Sequence, residues 1–399
     1  MFRPLYNTLI LNRIMNGGDQ NPLSLCSNLT SLNPSFNLLL RISVRFISSS
    51  SSSSVDHIHS TSSSSFVVSY LMNSCGLTEK EALSASKKVN FKSTSNPDTV
   101  LTCFQGYGFT KPDISKLINK NPGFLSLNAH KTLKPKLDYL NSKDISRLEV
   151  VKVLSTNPTI LGRSLENLIV PLFDSIKNIV GTDKYVFAVF RRSMGLSDKL
   201  MLNIQVLRDE GVPQSSIVKF LINGPRTLLI STGKFKDIVQ EIKGMGFDPY
   251  KNAFLIAIHA LAAMTKSTWE TKLNAYRKWG WSEDQIQFAF MLNPICMKHS
   301  EKKISMIMDY LVNQMGISPL LIARCPNVLN YSLEKRIIPR CSVYRSLVSK
   351  GLVNKDRIRI TSLLYMSDKS FLDKFVIKYE EEAPELMKDL VAVMDAEDT

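Results

Sequence analysis

A glycine followed by an apolar residue and then by a residue able to start a helix returns along this chain at a nearly fixed interval. The instances are Gly76-Leu77-Thr78, Gly108-Phe109-Thr110, Gly211-Val212-Pro213, Gly246-Phe247-Asp248, Gly280-Trp281-Ser282, Gly316-Ile317-Ser318 and Gly351-Leu352-Val353, separated by 32, 103, 35, 34, 36 and 35 residues. Weaker copies, Asp144-Ile145-Ser146 and Gly181-Thr182-Asp183, divide the long step into thirds. A period of this size suits a helix pair that cannot bury its apolar face alone and must stack on its neighbours. The fold expected is all-α: an α-solenoid of roughly nine helix-pair repeats of about 35 residues each.

Prolines form a second register at Pro122, Pro158, Pro225, Pro294 and Pro326. Four residues before them stand Ile118, Leu154, Leu221, Phe290 and Ile322, and three after stand Leu125, Leu161, Leu228, Met297 and Leu329, the spacing of one buried face. Within Gly280 to Leu311, the glycine can take positive φ and close one helix, while Ser282 with Gln285 can form a capping box for the next. Pro294 lacks an amide hydrogen and disfavours helix at Asn293, so the chain must break there. A second helix is expected from about Ser300, turning Ile304, Ile307, Met308 and Leu311 inward. Each unit therefore reads as helix, proline break, helix, glycine turn.

The pentapeptides around these prolines are Asn121-Pro122-Gly123-Phe124-Leu125, Asn157-Pro158-Thr159-Ile160-Leu161, Gly224-Pro225-Arg226-Thr227-Leu228, Asn293-Pro294-Ile295-Cys296-Met297 and Cys325-Pro326-Asn327-Val328-Leu329. Pro135, Pro171 and Pro339 follow three of them by thirteen residues. Five in register resemble the mitochondrial transcription termination factor family, over most of residues 66 to 379. The resemblance implies a curved, left-handed superhelix of short helix pairs, a basic concave groove for nucleic acid, and work in organelle gene expression. The proline is missing near Arg191-Arg192-Ser193, Ala260 and Tyr365, so those units are expected to lose the break and interrupt the groove.

Charge fits a polyanionic partner. Lys and Arg exceed Asp and Glu by 15, and residues 380 to 399 hold eight acids against one lysine, which leaves residues 66 to 379 at +20. The first 65 residues differ: up to Val55 they carry Arg3, Arg13, Arg41 and Arg45 against Asp19, and twelve of the eighteen residues from Ser48 to Ser65 are serine. An arginine-bearing, acid-poor, serine-rich start describes an organelle transit peptide, with Arg45-Phe46-Ile47-Ser48-Ser49 similar to a mitochondrial cleavage site. Mitochondrion is the expected destination, with chloroplast or both as alternatives. The organisation expected is a leader over 1–65, a helical-repeat domain over 66–379 and an acidic tail over 380–399. The tail reads as a cap on the open end of the stack or as a phosphate mimic that folds on the basic surface.

Nine residues after the register prolines come Lys131, Asn167, Lys234, Lys303 and Lys335. Equivalent positions in stacked units form a ridge that can track successive phosphates. Lys134, Arg163, Arg192, Arg226, Lys302, Arg336 and Arg340 are placed on the same charged surface. Any one of them could equally be an ordinary solvated lysine or arginine. Trp281 occupies a core slot of the glycine register, while Trp269 and Tyr276 are undecided between core and base stacking.

Motifs of catalysis do not occur: no phosphate loop, no dinucleotide fingerprint and no H-E-x-x-H. The six cysteines are scattered without C-x-x-C, and the five histidines lack metal-ligand spacing. The expected protein is a monomeric, non-enzymatic regulator without cofactor or metal that binds DNA or RNA of an organelle genome away from membranes. It would act in transcription termination, initiation or RNA processing such as intron splicing, alongside the transcription or splicing machinery. A helical protein scaffold and a pentatricopeptide-like RNA reader are the alternatives.

Overall fold

The computed structural model describes residues 61–193, 197–354 and 360–386. Contacts divide the chain into Met1–His59 and Ser60–Thr399, and only the second unit contains described residues. Most of the expected leader and residues 387–399 of the acidic tail therefore lie outside the described residues.

The described residues are helical, without a strand among them. They open with α1 (Thr61–Asn73), α2 (Glu79–Ser86), α3 (Ser95–Gly106), α4 (Lys111–Lys120) and α5 (Lys134–Asn141). The run continues through α6 (Arg147–Thr156), α7 (Val170–Val180), α8 (Asp183–Arg192), α9 (Lys199–Asp209) and α10 (Gln214–Asn223). Then come α11 (Thr232–Gly244), α12 (Asn252–Ala262), α13 (Lys266–Arg277), α14 (Glu283–Leu292) and α15 (Glu301–Asp309). The last are α16 (Pro319–Arg324), α17 (Ile338–Ser349), α18 (Ile360–Tyr365) and α19 (Asp368–Phe371). From α2 onward the even-numbered helices are first members of a pair and the odd-numbered ones second members. First helices pack on first helices, as α2 on α4, α6 on α8 and α14 on α16. Second helices pack on second helices, as α9 on α11 and α13 on α15, so the fold is a two-layered helical-repeat solenoid.

Both registers do what their chemistry demands. Every glycine of the first register sits at positive φ, between +66° at Gly316 and +91° at Gly246, and so does Gly181 of the weaker copies. The turn is a helix C-terminal cap, as where the Gly246 amide donates to the Lys243 carbonyl and the Phe247 amide to the Ile242 carbonyl. Each register proline is buried at the first position of a tight 3₁₀ turn. The residue before it leaves helical space, with φ between −128° at Cys325 and −149° at Asn293 and ψ between 44° at Gly224 and 89° at Asn293. The ten apolar residues flanking the prolines are all buried. The expected unit is present: Gly280 at +78°, a Ser282–Gln285 capping box, and α15 capped by Ser300 with Ile304, Ile307, Met308 and Leu311 inward. Pro135, Pro171 and Pro339 enter α5, α7 and α17 after one π-turn, because a proline inside a helix withholds an amide and crowds the carbonyl four residues back.

The units without a proline correct one expectation: they keep the break. Ser193 is extended (φ −73°, ψ 138°), while the Thr265 and Ser367 hydroxyls accept the Thr268 and Ser370 amides to start α13 and α19. In the last two, side-chain caps do the work of the missing ring, whereas α9 starts behind Asp198 without a side-chain cap bond. At the end of the described chain, Ala383 and Leu386 are buried and Glu385 pairs with Lys350 at the C-terminus of α17. Up to residue 386 the acidic tail thus lies at the glycine-turn end of α17.

Candidate nucleic-acid interface

A unit has two edges, one where glycine turns lead into first helices and one where proline turns lead into second helices. The second-helix starts share a construction. Six residues after each register proline comes a capping residue: Asn128, Ser164, Ser231, Ser300 or Ser332. Asn128 Oδ1 accepts the Lys131 amide at 2.8 Å, and the Ser164, Ser300 and Ser332 hydroxyls accept the Asn167, Lys303 and Lys335 amides at 3.2, 3.2 and 3.1 Å. Ser231 makes no such bond. The ridge position is therefore the third residue of the second helix, beside unpaired amides and the positive end of the helix dipole.

That is an unfavourable place for a cation, by about 0.3–1 kcal/mol each. Four first helices follow the rule at that position. Their third residues are Glu81, Asp113, Glu149 and Gln285, behind the caps Thr78, Thr110, Ser146 and Ser282. Second helices break it with Lys131, Lys234, Lys303 and Lys335. Where Asn167 stands instead, the exposed Arg163 precedes the cap Ser164.

Of the residues expected at the interface, Lys131, Lys134, Arg163, Arg192, Arg226, Lys234, Lys302 and Lys335 are exposed. Some are already engaged. Lys134 faces Asp138 at 3.4 Å, Arg192 donates to the Ile222 carbonyl at 3.0 Å, and Arg226 donates to the Arg192 carbonyl at 3.0 Å. Lys303 is half-buried, reaches the Asn330 carbonyl at 3.1 Å, and burial lowers its pKa. Arg340 must be withdrawn. It is 3% exposed, its guanidinium bonds the Leu363, Leu364 and Met366 carbonyls and pairs with Asp368, and burial pulls its pKa down. Arg336 is drawn the same way, to the Leu364 and Met366 carbonyls and Asp368, with its guanidinium carbon 4.4 Å from the Tyr331 ring centroid. Both close the C-terminus of α18, where open carbonyls and the negative dipole end favour a cation.

Arg340 belongs to a set that sequence reasoning missed. Donors on second helices reach the carbonyls that follow the next first helix: Asn96 to Leu125 and Leu127, Lys136 to Leu161, Asn203 to Leu228 and Ile230, and Tyr276 to Cys296. The 3₁₀ turns leave those carbonyls without helical partners, and a buried orphan is costly. Lys136 and Arg340 each follow a later proline, Pro135 or Pro339, and that dipeptide was the available signal. Tyr276 is fully buried and stacked on Trp281 at 4.6 Å, while Trp269 meets Phe290 edge-on at 5.2 Å, so this aromatic group belongs to the packing.

Among the described residues no group of three or more His, Cys, Asp or Glu side chains is placed to hold a metal ion, and no helix is long and apolar enough to cross a membrane. His259 Nδ1 meets the Thr227 hydroxyl at 2.7 Å, and His299 Nε2 meets Asn330 Oδ1 at 2.8 Å. Burial lowers the pKa of both rings.

Comparison with known proteins agrees with this architecture. The mTERF family profile matches residues 101–306 and 260–372. The chain is 22% identical over 318 residues to the mitochondrial transcription termination factor MTERF15 of Arabidopsis thaliana, covering 78% of this chain and 63% of that protein. It is 22% identical over 262 residues to the chloroplastic transcription termination factor MTERF8 of the same plant, covering 64% and 51%. The chain thus spans between half and two thirds of the length of these relatives. With two overlapping family matches that together run from residue 101 to 372, and with the glycine and proline registers built as described, the chain belongs to the mTERF family.

Proposed function

We propose that this protein is a non-enzymatic regulator of organelle gene expression that holds DNA or RNA along the edge where second helices begin. The observation that carries the reading is the lysine repeated at the third position of four second helices, a position that holds an acid or amide in four first helices and a lysine in none. A charge that costs each helix a little and still recurs is explained by a ligand that gains from it, and a phosphate backbone is the ligand whose charge repeats. Both relatives are termination factors by name, one mitochondrial and one chloroplastic. The stretch Arg45-Phe46-Ile47-Ser48-Ser49, similar to a mitochondrial cleavage site, supports the mitochondrion for this chain, with the chloroplast or both as alternatives. Arg163, Arg192, Arg226 and Lys302 flank the lysines, and Arg336 keeps a partial role beside Lys335.

The test is equilibrium binding of the full chain to fluorescent single-stranded RNA and duplex DNA at 0.1 M salt. Charge reversal at Lys131, Lys234 and Lys335 together is expected to weaken binding at least tenfold while thermal stability is kept or raised, since each change removes a cation from a positive helix end. Undiminished binding by that variant would remove the edge from the account and favour the protein-scaffold reading.

A further inference from the structure

The row of cations has two apparent gaps, at the units of α8–α9 and α12–α13, which lack the register proline and were expected to interrupt the surface. The structure shows that both units still break and start a second helix, so each has an edge position to fill. Lys199 is the first residue of α9 and exposed, directly after Asp198. Lys266 is the first residue of α13 and exposed, directly after its cap Thr265.

With these two included, Arg163, Lys199, Lys234, Lys266 and Lys303 stand at five consecutive second-helix starts, separated by 36, 35, 32 and 37 residues. The interval is that of the fold itself. It survives the loss of the proline, a shift from the third helical position to the first, and in α7 a shift to the residue before the cap. What stays constant is one cation per unit at the same edge.

We infer that Lys199 and Lys266 are backbone-contacting residues, and that the interface is one uninterrupted track running through the proline-less units and offering one phosphate contact per helix pair. This inference rests on the nucleic-acid reading above and extends it to units where the family pattern fails. A polyanion lying along the edge meets a cation at each packed helix, at intervals of about 8–10 Å, and no unit must be bridged without one. The contact is to phosphate, and sequence preference must come from elsewhere.

The experiment measures the dependence of log K on log salt for the full chain with a 30-nucleotide RNA and a 30-base-pair DNA. The chains compared are the wild type, the double variant Lys199→Gln/Lys266→Gln, and the control Lys80→Gln/Lys184→Gln. The control removes exposed lysines from first-helix starts at the opposite edge. Two lost phosphate contacts should flatten the slope of the double variant by about 1.4 on single strands or about 1.8 on duplex, with the control unchanged. A steep wild-type slope that the double variant shares would overturn the inference and leave the broader reading standing. A wild type that binds neither probe in a salt-dependent way would overturn the broader reading, and the inference with it. All four exposed positions permit thermal melting to confirm folding.

Discussion

Lys131 and Arg340 look alike in the sequence, each a basic residue at a fixed distance from a register proline, and the structure gives them opposite duties. Lys131 is exposed at a helix start, whereas Arg340 is buried among carbonyls it must satisfy. Lys131→Gln should therefore leave stability unchanged or raise it by about 0.3–0.5 kcal/mol through relief at the dipole end, while weakening nucleic-acid binding. Arg340→Met should cost about 2–3 kcal/mol in urea unfolding through loss of charge-assisted hydrogen bonds, while leaving the salt slope of binding intact. The half-buried histidines add a pH dependence. Burial depresses their folded pKa below the ordinary 6.5, so the unfolded chain takes up protons that the folded chain resists. Their contribution to stability is complete above pH 6.5 and declines as pH falls below it. Urea midpoints at pH 7.5 and 5.5 should differ less in a His259→Gln/His299→Gln variant than in the wild type, and an equal drop in both would contradict this.

At the scale of elements, glycine turns, proline breaks and apolar faces were legible because each rests on a local backbone rule that burial then reinforces. What escaped was cross-unit chemistry. The bonds from Asn96, Lys136, Asn203 and Arg340 join residues 23 to 31 positions apart, and residue type alone cannot separate them from surface positions. For the same reason Arg340 read as part of the interface. The proline was overvalued as well, because Thr265 and Ser367 can end one helix and begin another by capping alone. Pro294→Ala is accordingly expected to keep the helical circular-dichroism signal and cost about 1–2 kcal/mol, from a freer unfolded chain and lost ring burial. Glycine identity matters more at the turns. Gly280 has open space where a Cβ would sit but holds φ at +78°, so Gly280→Ala should cost about 1–2 kcal/mol from backbone strain alone. Gly244, helical and equally uncrowded, should gain about 0.5–1 kcal/mol on the same substitution.

For the molecule as a whole, the two edges of the solenoid carry different work. Glycine turns, capping boxes and the first part of the acidic tail occupy one edge. Proline turns, the donors that reach the next unit's carbonyls and the proposed row of cations occupy the other. The placement of residues 380–386 at Lys350 supports the tail as an end cap. On that view, removing residues 387–399 should leave nucleic-acid affinity nearly unchanged, and a large gain at low salt would instead indicate self-inhibition. The central claim is that the cation edge holds an organelle transcript or locus in the cell. Crosslinking and immunoprecipitation of the tagged protein from purified mitochondria, with bound RNA and DNA sequenced in parallel, tests it most directly. The expected result is a discrete enriched transcript region or DNA locus that disappears when Lys131, Lys234 and Lys335 are reversed in charge. Enrichment of neither polymer above that variant would contradict it.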